Sequence, residues 1–242
     1  MTGERVLVVL PAFREEASVG AVVADVRAAG LDCVVVDDGS PDGTADAARA
    51  AGAVVVRLPV NLGVGGALRC GFRYAEQHGY DAVVQCDADG QHPADAIAEL
   101  IQAAAANDAH LVIGSRFSDG SGDFALSRSR RLAMRLLSWL VLVTGRVRVH
   151  DTSSGFRCVR QPLLHEFARS YPAQYLGDTV EALVAAGRAG YRVLEVPVHL
   201  LPRAGGEPSA PRTRAVLLTA RVAITVAFGL GLRLPNYAAE AP

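Results

Sequence analysis

The chain has 242 residues, half of them apolar, and a formal net charge of −1 at pH 7. That length and apolar content are enough for a full hydrophobic core, as one large domain or as a domain with an appendage. The four cysteines are scattered and lack metal-type spacing, which excludes a cysteine-based metal centre and a disulfide framework and indicates reduced thiols in a cytoplasmic protein. We expect no nucleic-acid partner.

The charges are unevenly distributed along the chain. Residues 1–110 carry 16 acidic and 7 basic side chains, whereas residues 111–242 carry 9 acidic and 17 basic ones, and no lysine is present. Contacts to phosphate must therefore come from arginine forks or backbone amides. An acidic first half and an arginine-rich second half fit a bound cation in one place and anionic partners in another. The first residues run directly into an apolar strand, without the pattern of a signal peptide.

Apolar runs alternate with helical patterns in the first half of the chain. Strands are expected at residues 6–10, 33–36, 53–56, 82–86 and 110–113, and helices at 17–29, 45–51, 61–78 and 93–106. This order predicts an α/β fold with a mostly parallel sheet, covered by helices on both faces. Ligands should bind at the carboxyl ends of the strands, where the polar loops of this region lie. A Rossmann dehydrogenase is excluded, because no Gly-x-Gly-x-x-Gly follows the first strand.

The sequence Asp-Ala-Asp-Gly-Gln at 87–91 is the strongest candidate for chemistry. It follows an apolar strand and precedes a helix, so two carboxylates and an amide oxygen lie on one short turn at a strand end. Such oxygen ligands suit a hard divalent cation, Mg²⁺ or Mn²⁺, that is also bound by phosphate. A lone Asp-x-Asp is weak evidence, because surface turns use aspartate freely. The strand–turn–helix context makes metal binding the preferred interpretation.

Two further loops allow a structural and a functional interpretation. The loop at 37–44 contains Pro-Asp-Gly, a strong turn signal, but its carboxylates could also accept hydrogen bonds from a nucleoside. The loop at 61–66 is rich in glycine, yet it has neither a P-loop lysine nor Gly-x-Gly-x-x-Gly spacing. Its glycines are explained equally well by a close helix–sheet crossing or by a backbone that approaches a ligand. Both alternatives stay open.

Seven segments in one order resemble a known family. They are Val-Leu-Pro-Ala-Phe-Arg-Glu-Glu (9–16), Val-Val-Asp-Asp-Gly-Ser-Pro-Asp-Gly-Thr (35–44), Asn-Leu-Gly-Val-Gly-Gly-Ala (61–67), Asp-Ala-Asp-Gly-Gln-His-Pro (87–93), Gly-Ser-Arg (114–116), Asp-Thr-Ser-Ser-Gly-Phe-Arg (151–157) and Glu-Val-Pro-Val (195–198). Together they resemble the family 2 inverting glycosyltransferases, specifically the dolichyl- and polyprenyl-phosphate mannosyl- and glucosyltransferases. The resemblance implies a GT-A-type catalytic domain with a Rossmann-like nucleotide-binding half over 1–210, then a C-terminal amphipathic helix and tail over 211–242.

The resemblance also implies a set of site residues. Nucleotide-sugar binding is implied for Pro11, Phe13, Glu15, Asp37, Asp38, Asp87, Ala88, Asp89, Arg116 and Arg203. Metal binding is implied for Asp87, Asp89 and Gln91, with Mg²⁺ or Mn²⁺ as the cofactor. Phe13 stands where the family usually has tyrosine, and Arg116 and Arg203 are expected to face the donor diphosphate. The loop after Glu-Val-Pro-Val lacks the family's lysine, so Arg212 or Arg214 is a candidate to replace it.

The leading hypothesis is transfer of a sugar from a UDP- or GDP-sugar to a polyprenyl phosphate. A phosphate monoester is already an oxyanion at neutral pH, so a strong general base is dispensable. A hydroxyl acceptor, the second hypothesis, would need a carboxylate base, for which Asp178 and Glu181 are the candidates, with Asp151 as the next choice. The spacing of three between Asp178 and Glu181 fits a helix capping box equally well. The predicted catalytic residues are Asp89, Arg116, Asp178 and Glu181. The third hypothesis is a subunit that binds a nucleotide sugar without catalysing its transfer.

Two apolar stretches in the second half suggest contact with a membrane. Residues 215–234 approach the length of a membrane span, but Arg221 near the middle is costly in a bilayer core, so an interfacial or partner-packed helix is preferred. Residues 132–143 place apolar side chains beside several arginines, which fits either membrane-surface contact or a core-facing helix. We expect peripheral binding at the cytoplasmic face, with any firm anchor supplied by a small membrane-protein partner.

Overall fold

In a computed structural model of the chain, the described residues are 3–115, 128–173, 177–199, 201, 224–225 and 231–237. The strands are β1 (Val6–Ala12), β2 (Asp32–Asp37), β3 (Val54–Arg57), β4 (Ala82–Gln85), β5 (Leu111–Ser115), β6 (Arg157–Arg160) and β7 (Val193–Pro197). The helices are α1 (Val19–Ala28), α2 (Thr44–Ala50), α3 (Val64–Gln77), α4 (Ala94–Ala106), α5 (Arg128–Gly145), α6 (Leu163–Ser170) and α7 (Ala182–Arg188). A π-helical turn, Gly177–Glu181, leads directly into α7.

The seven strands form one sheet in the order β3-β2-β1-β4-β6-β5-β7. Every pairing is parallel except those of β6, which runs antiparallel to both β4 and β5. The prediction of a mostly parallel sheet is confirmed. Because β6 is reversed, its first residue lies opposite the end of β4: Arg157 pairs with Gln85. The start of β6 therefore belongs to the sheet edge where the parallel strands end.

The core consists of two apolar layers, one on each face of the sheet. Along β1, Leu7 and Val9 pack with the layer that contains α3, α6 and α7, while Val8 and Leu10 pack with α1 and α4. Such alternation follows from the two-residue period of a strand, and it explains why the buried strands read as continuous apolar runs. Helices on both faces were predicted and are observed.

The glycines near the start of α3 have a packing explanation. A Cβ at Gly65 would lie 2.2 Å from the carbonyl oxygen of Pro172, and one at Gly71 would lie 2.3 Å from Cγ1 of Val9. Backbone of α3 therefore approaches the chain after α6 and the strand β1 more closely than a side chain allows. Of the two alternatives for the 61–66 loop, the structure favours close packing.

The sequence-predicted strands and helices of the first half are observed with shifts of at most three residues at their ends, the largest at the start of α3. The amphipathic pattern at 132–143 lies within α5. Most of the predicted C-terminal helix, and with it the boundary at 210, lies outside the described residues. Within the described part of the tail, Tyr237 stacks on Tyr191 with ring centroids 4.8 Å apart. Among the described helices, none is both long enough and apolar enough to cross a membrane.

Candidate active site

The loops that follow β1 and β2 are joined at the carboxyl edge of the sheet. Ala12 and Asp37 are register partners, and the amide of Asp38 donates to the carbonyl of Ala12 at 2.8 Å. Two residues further on in each loop, the amide of Arg14 donates to Oγ of Ser40 at 3.1 Å. The predicted nucleoside-binding residues of these two loops therefore lie together, as the parallel register requires.

Asp38 has a structural contact that the sequence did not predict. Its two carboxylate oxygens accept hydrogen bonds from the amides of Leu62, at 2.7 Å, and Gly63, at 2.8 Å. The carboxylate thus fixes the loop that opens α3. Burial raises the pKa of Asp38, and the two amide hydrogen bonds oppose that shift. Because each carboxylate oxygen has two lone pairs, Asp38 retains the capacity to accept a hydrogen bond from a nucleoside.

Asp37 is buried and holds its own loop. Oδ1 accepts from the amide of Ser40 at 3.0 Å, and Oδ2 lies 3.3 Å from Nε of Arg57. That second contact is an ion pair without hydrogen-bond geometry, because Oδ2 has no hydrogen-bond partner among the described residues. Arg57 also donates from Nη2 to the carbonyl of Ser40 at 3.1 Å. Asp37 therefore holds the loop that follows β2 in place.

The loop that follows β1 exposes an aromatic side chain. Phe13 is 39 % exposed, and the guanidinium of Arg14 lies 5.2 Å from its ring centroid. Glu15 is buried, with its carboxylate accepting from Oγ of Ser18 at 2.7 Å, and Pro11 is half-buried at the end of β1. The exposed ring is the part of this loop that is free to contact a nucleoside.

The 87–91 turn follows β4 at the same edge and is tightly held. The amide of Asp87 donates to Nδ1 of His92 at 3.1 Å, and the imidazole stacks on Phe156 at 4.4 Å. Oδ1 of Asp89 accepts from the amide of Gln91 at 3.0 Å. Ala88 and Asp89 are both buried. His92 therefore supports the turn as a structural residue, because its Nδ1 is used by the backbone.

The oxygen atoms of this turn fit a divalent cation that is shared with phosphate. Among the described residues, no group of three or more His, Cys, Asp or Glu side chains could enclose a metal ion. Mg²⁺ in nucleotide sites is commonly bound by one or two carboxylates together with substrate phosphates and water. Asp87, Asp89 and the Gln91 amide supply such an incomplete set, so the residues are suited to a cation that arrives with a diphosphate.

Gly155 lies next to the carboxylate of Asp87 and packs closely on the side chain of Gln85. A Cβ there would lie 3.5 and 3.7 Å from the two carboxylate oxygens of Asp87, and 3.2 Å from Nε2 of Gln85. Gly155 belongs to the segment 151–157, which precedes and enters β6. The resemblance named this segment, but sequence reasoning considered only Asp151 in it, as a further candidate base.

Two further contacts attach the 151–157 segment to neighbouring strands. The carboxylate of Glu195, on β7, accepts from the amides of His150 and Asp151, at 2.8 Å in each case. Oγ of Ser154 donates to the carbonyl of Gly114, on β5, at 2.6 Å. Glu195 and Ser154 thus join the ends of β5 and β7 to this segment. In the sequence, the only indication that these two residues matter was that they belong to segments that resemble the family.

Asp178 and Glu181 both lie on the π-helical turn. The hydroxyl of Tyr171 donates to the carbonyl of Asp178 at 2.5 Å, and Asp178 is buried. The helix α7 begins directly after Glu181, whose side chain makes no capping hydrogen bond to that helix. The choice between a capping box at 178–181 and a catalytic role of the two carboxylates stays open. A Cβ at Gly231 would lie 3.2 Å from Oε2 of Glu181, so the C-terminal segment passes beside this carboxylate.

Four predicted arginines lie outside the described residues: Arg116, Arg203, Arg212 and Arg214. Their proposed contacts to the donor diphosphate therefore stay predictions. Arg116 directly follows Ser115, the buried last residue of β5.

A mostly parallel α/β sheet with an Asp-x-Asp turn at a strand end is the class of fold that nucleotide-dependent sugar transferases use. The chain matches the family model "Glycosyl transferase family 2" over residues 7–167, which is more than half of its length. It belongs to glycosyltransferase family 2.

Curated relatives extend over most of the chain. An undecaprenyl-phosphate mannosyltransferase of Micrococcus luteus is 32 % identical over 215 residues, which cover 84 % of this chain and 86 % of the relative. A polyprenol monophosphomannose synthase of Mycolicibacterium smegmatis is 30 % identical over 213 residues, covering 83 % and 78 %.

Solved structures agree on the fold. Glucosyl-3-phosphoglycerate synthase from Mycobacterium tuberculosis, determined with Mn²⁺, UDP and phosphoglyceric acid, superimposes with a TM-score of 0.70 at 22 % identity. The match covers 94 % of this chain and 78 % of that one. The predicted GT-A-type architecture is confirmed.

Proposed function

We propose that this enzyme transfers a sugar from a nucleoside-diphosphate sugar to a polyprenyl phosphate, with inversion at the anomeric carbon. The main observation behind this proposal is the position of the 87–91 turn. It places Asp87, Asp89 and Gln91 at the same sheet edge as Asp37 and Asp38. The named activities of the Micrococcus and Mycolicibacterium relatives support the acceptor class.

On the donor side, we assign the nucleoside to Pro11, Phe13, Glu15, Asp37 and Asp38. The diphosphate is assigned to the 87–91 turn, Arg116 and Arg203. Mg²⁺ or Mn²⁺, bound by Asp87, Asp89 and Gln91, supplies the positive charge that makes a nucleoside diphosphate a good leaving group. The related fold with UDP and Mn²⁺ or Mg²⁺ supports this cofactor assignment.

The reaction exchanges one bond at the anomeric carbon. A phosphate oxygen of the acceptor attacks the face opposite the leaving group, and the bond from carbon to the diphosphate oxygen breaks with its electron pair. No proton has to be removed from a phosphate monoester that is already ionised at neutral pH. The absence of a dedicated histidine base therefore fits the phosphate acceptor, since His92 is used to hold the turn.

The test is a panel of donors and acceptors. UDP-, GDP- and dTDP-sugars are compared by thermal shift with Mn²⁺, because a ligand that binds the folded state raises its melting temperature. The best donor is then incubated with polyprenyl phosphate, with free polyprenol and with soluble glycans. Product only with the lipid phosphate is expected. Product with a hydroxyl acceptor, lost on Asp178→Asn or Glu181→Gln, would favour the second hypothesis, and donor binding without any product would favour the binding subunit.

We further propose that α5 places the enzyme at an anionic membrane surface. Leu136, Trp139 and Val143 lie three and four residues apart on α5 and are exposed, Trp139 by 56 %. Residues 124–150 contain six arginines and no acidic residue. An exposed apolar ridge with a tryptophan beside a positive flank is the pattern of an interfacial helix. A small membrane-protein partner is the alternative source of an anchor.

Vesicle flotation tests this location. The wild type is expected to float with vesicles that contain anionic lipid, and less so with neutral ones. Trp139→Ser should reduce flotation, whereas Val54→Thr, at an equally exposed valine on the edge strand β3, should leave it unchanged. Equal flotation of all three proteins, or no flotation with any vesicle, would contradict membrane binding through α5. It would favour a partner protein as the membrane anchor.

A further inference from the structure

Arg157 is a fully buried cation for which the proposed reaction has no direct use. It is 1 % exposed, its Nε donates to the carbonyl of Ser154 at 2.8 Å, and its Nη1 donates to the carbonyl of Thr179 at 3.2 Å. Nη2 has no hydrogen-bond partner among the described residues. A guanidinium cannot be deprotonated in a protein, so this is a permanent positive charge in the interior.

Stability alone does not explain an arginine at this position. A buried charge loses its hydration, and replacing such a group by an apolar side chain of similar volume is often neutral or stabilising. The contact to Thr179 offers an explanation, because Thr179 lies on the π-helical turn between Asp178 and Glu181. Arg157 therefore attaches that turn to the sheet.

The opposite side of Arg157 leads to the 87–91 turn. Gln85 is its register partner on β4, is 2 % exposed, and has an Oε1 without a hydrogen-bond partner in the described part of the chain. Gln85 in turn packs against Gly155, which also lies next to the carboxylate of Asp87. A continuous series of contacts thus runs from Asp87 through Gly155 and Gln85 to Arg157 and Thr179.

Tyr171 provides a second attachment for the same turn. Its hydroxyl donates to the carbonyl of Asp178 at 2.5 Å. Burial raises the pKa of Tyr171, and the positive charge of Arg157 acts in the opposite direction, so the two side chains are close enough to interact. The phenol stays protonated and remains a donor at neutral pH.

We propose that Arg157 is a positioning residue that holds the Asp178–Glu181 turn in a fixed place relative to the diphosphate-binding turn. The proposal rests on the proposed function. It adds that the acceptor binds beside the Asp178–Glu181 turn, because both carboxylates belong to the predicted catalytic set and the donor is assigned to other loops. Loss of Arg157 should then impair use of the acceptor while leaving donor binding intact, because the 87–91 turn is held separately by His92 and Phe156.

The experiment compares Arg157→Met, which keeps the volume without the charge, with Arg157→Lys and Arg160→Met. Arg160 is the matched control, since it lies three residues further along β6 and pairs with Glu4 at the opposite sheet edge. For Arg157→Met we expect unchanged affinity for the nucleoside diphosphate with Mn²⁺, and kcat/KM for polyprenyl phosphate lower by roughly tenfold or more. Arg157→Lys should recover part of the loss, and Arg160→Met should transfer at the wild-type rate.

A readout independent of activity is amide hydrogen exchange. In Arg157→Met, the amides of residues 177–181 should exchange faster than in the wild type, and those of residues 87–91 should exchange at an unchanged rate. Should this variant not fold, Arg157→Lys and guanidinium-rescued Arg157→Ala take its place in both measurements. Unchanged exchange at 177–181, or transfer at the wild-type rate, would overturn the positioning role. A wild type that transfers no sugar to any polyprenyl phosphate would instead contradict the proposed function, and the exchange result would still decide the role of Arg157.

Discussion

The two halves of the candidate site are built differently. On the donor side, three carboxylates are held by residues two or three positions away: Asp37 by Ser40, Asp89 by Gln91 and Glu15 by Ser18. Asp38 is the exception, because its partners Leu62 and Gly63 are 24 and 25 positions away. The acceptor side consists of the 151–157 segment and the Asp178–Glu181 turn. Its holding contacts join distant parts of the chain. Glu195 and Asp151 are 44 positions apart, Ser154 and Gly114 are 40 apart, and Arg157 and Thr179 are 22 apart.

This difference has a consequence for function. Local turns hold most of the donor-side carboxylates, whereas the acceptor side depends more on how β5, β6 and β7 assemble. Substitutions on the donor side should therefore change nucleotide affinity and the chemical step with little effect on folding. Substitutions on the acceptor side should change stability and acceptor use together.

The largest effect is expected for Asp89→Ala. The variant loses a ligand for the cation that neutralises the leaving diphosphate, so transfer should fall by roughly a hundredfold or more while the protein stays folded. Asp95→Ala is the matched control, because Asp95 is an exposed carboxylate at the start of the neighbouring helix α4. Sugar transfer and the circular dichroism spectrum are measured for both. A folded Asp89→Ala protein with normal activity would refute the metal assignment.

Gly155→Ala tests the point where the two halves meet. The added Cβ would press on Nε2 of Gln85 at 3.2 Å and lie beside the Asp87 carboxylate at 3.5 Å. Displacing a group next to a metal ligand should weaken Mn²⁺-dependent nucleotide binding by roughly tenfold. Isothermal titration with and without Mn²⁺ measures this. Gly20→Ala in α1, where the Cβ would meet only an ordinary contact at 3.7 Å, should bind like the wild type. Equal binding by Gly155→Ala would show that the space beside Asp87 is not needed.

Glu195→Ala should act mainly on stability. It removes the acceptor for the exposed amide of His150 and the partly buried amide of Asp151, and the loss of the partly buried bond should lower the free energy of unfolding by about 1 kcal/mol. Urea denaturation measures the loss, with exposed Glu99→Ala as the control that should change little. Nucleotide affinity should be unaffected. A large loss of nucleotide affinity with normal stability would contradict the division between the two halves.

The same division explains what the sequence could predict. The first five strands were found because each is a local apolar run, and the 87–91 turn because its ligands are adjacent in sequence. The reversal of β6 was not predicted, since its direction is decided by pairing with β4 and β5. Arg157 carried one local signal, a charged residue directly before the apolar Cys158 and Val159 of a strand. Only the fold reveals that it contacts Thr179.

The smallest expected effect concerns pH and Asp38. Burial raises its folded pKa above the ordinary aspartate value, although two backbone amides bind its oxygens. The folded state therefore binds this proton more tightly than the unfolded chain does, and the contribution of Asp38 to stability must fall as pH rises from the ordinary aspartate pKa to the folded one. Above and below that window the contribution is constant. Asp38→Asn cannot titrate, so the difference in unfolding free energy between wild type and variant should shift against the wild type across the window. Urea denaturation in matched buffers checks this. A difference that instead grows in favour of the wild type with rising pH would mean that the hydrogen bonds from the amides of Leu62 and Gly63 outweigh the effect of burial on the pKa of Asp38. The main role of the Asp38 carboxylate would then be to hold this loop and not to bind a nucleoside.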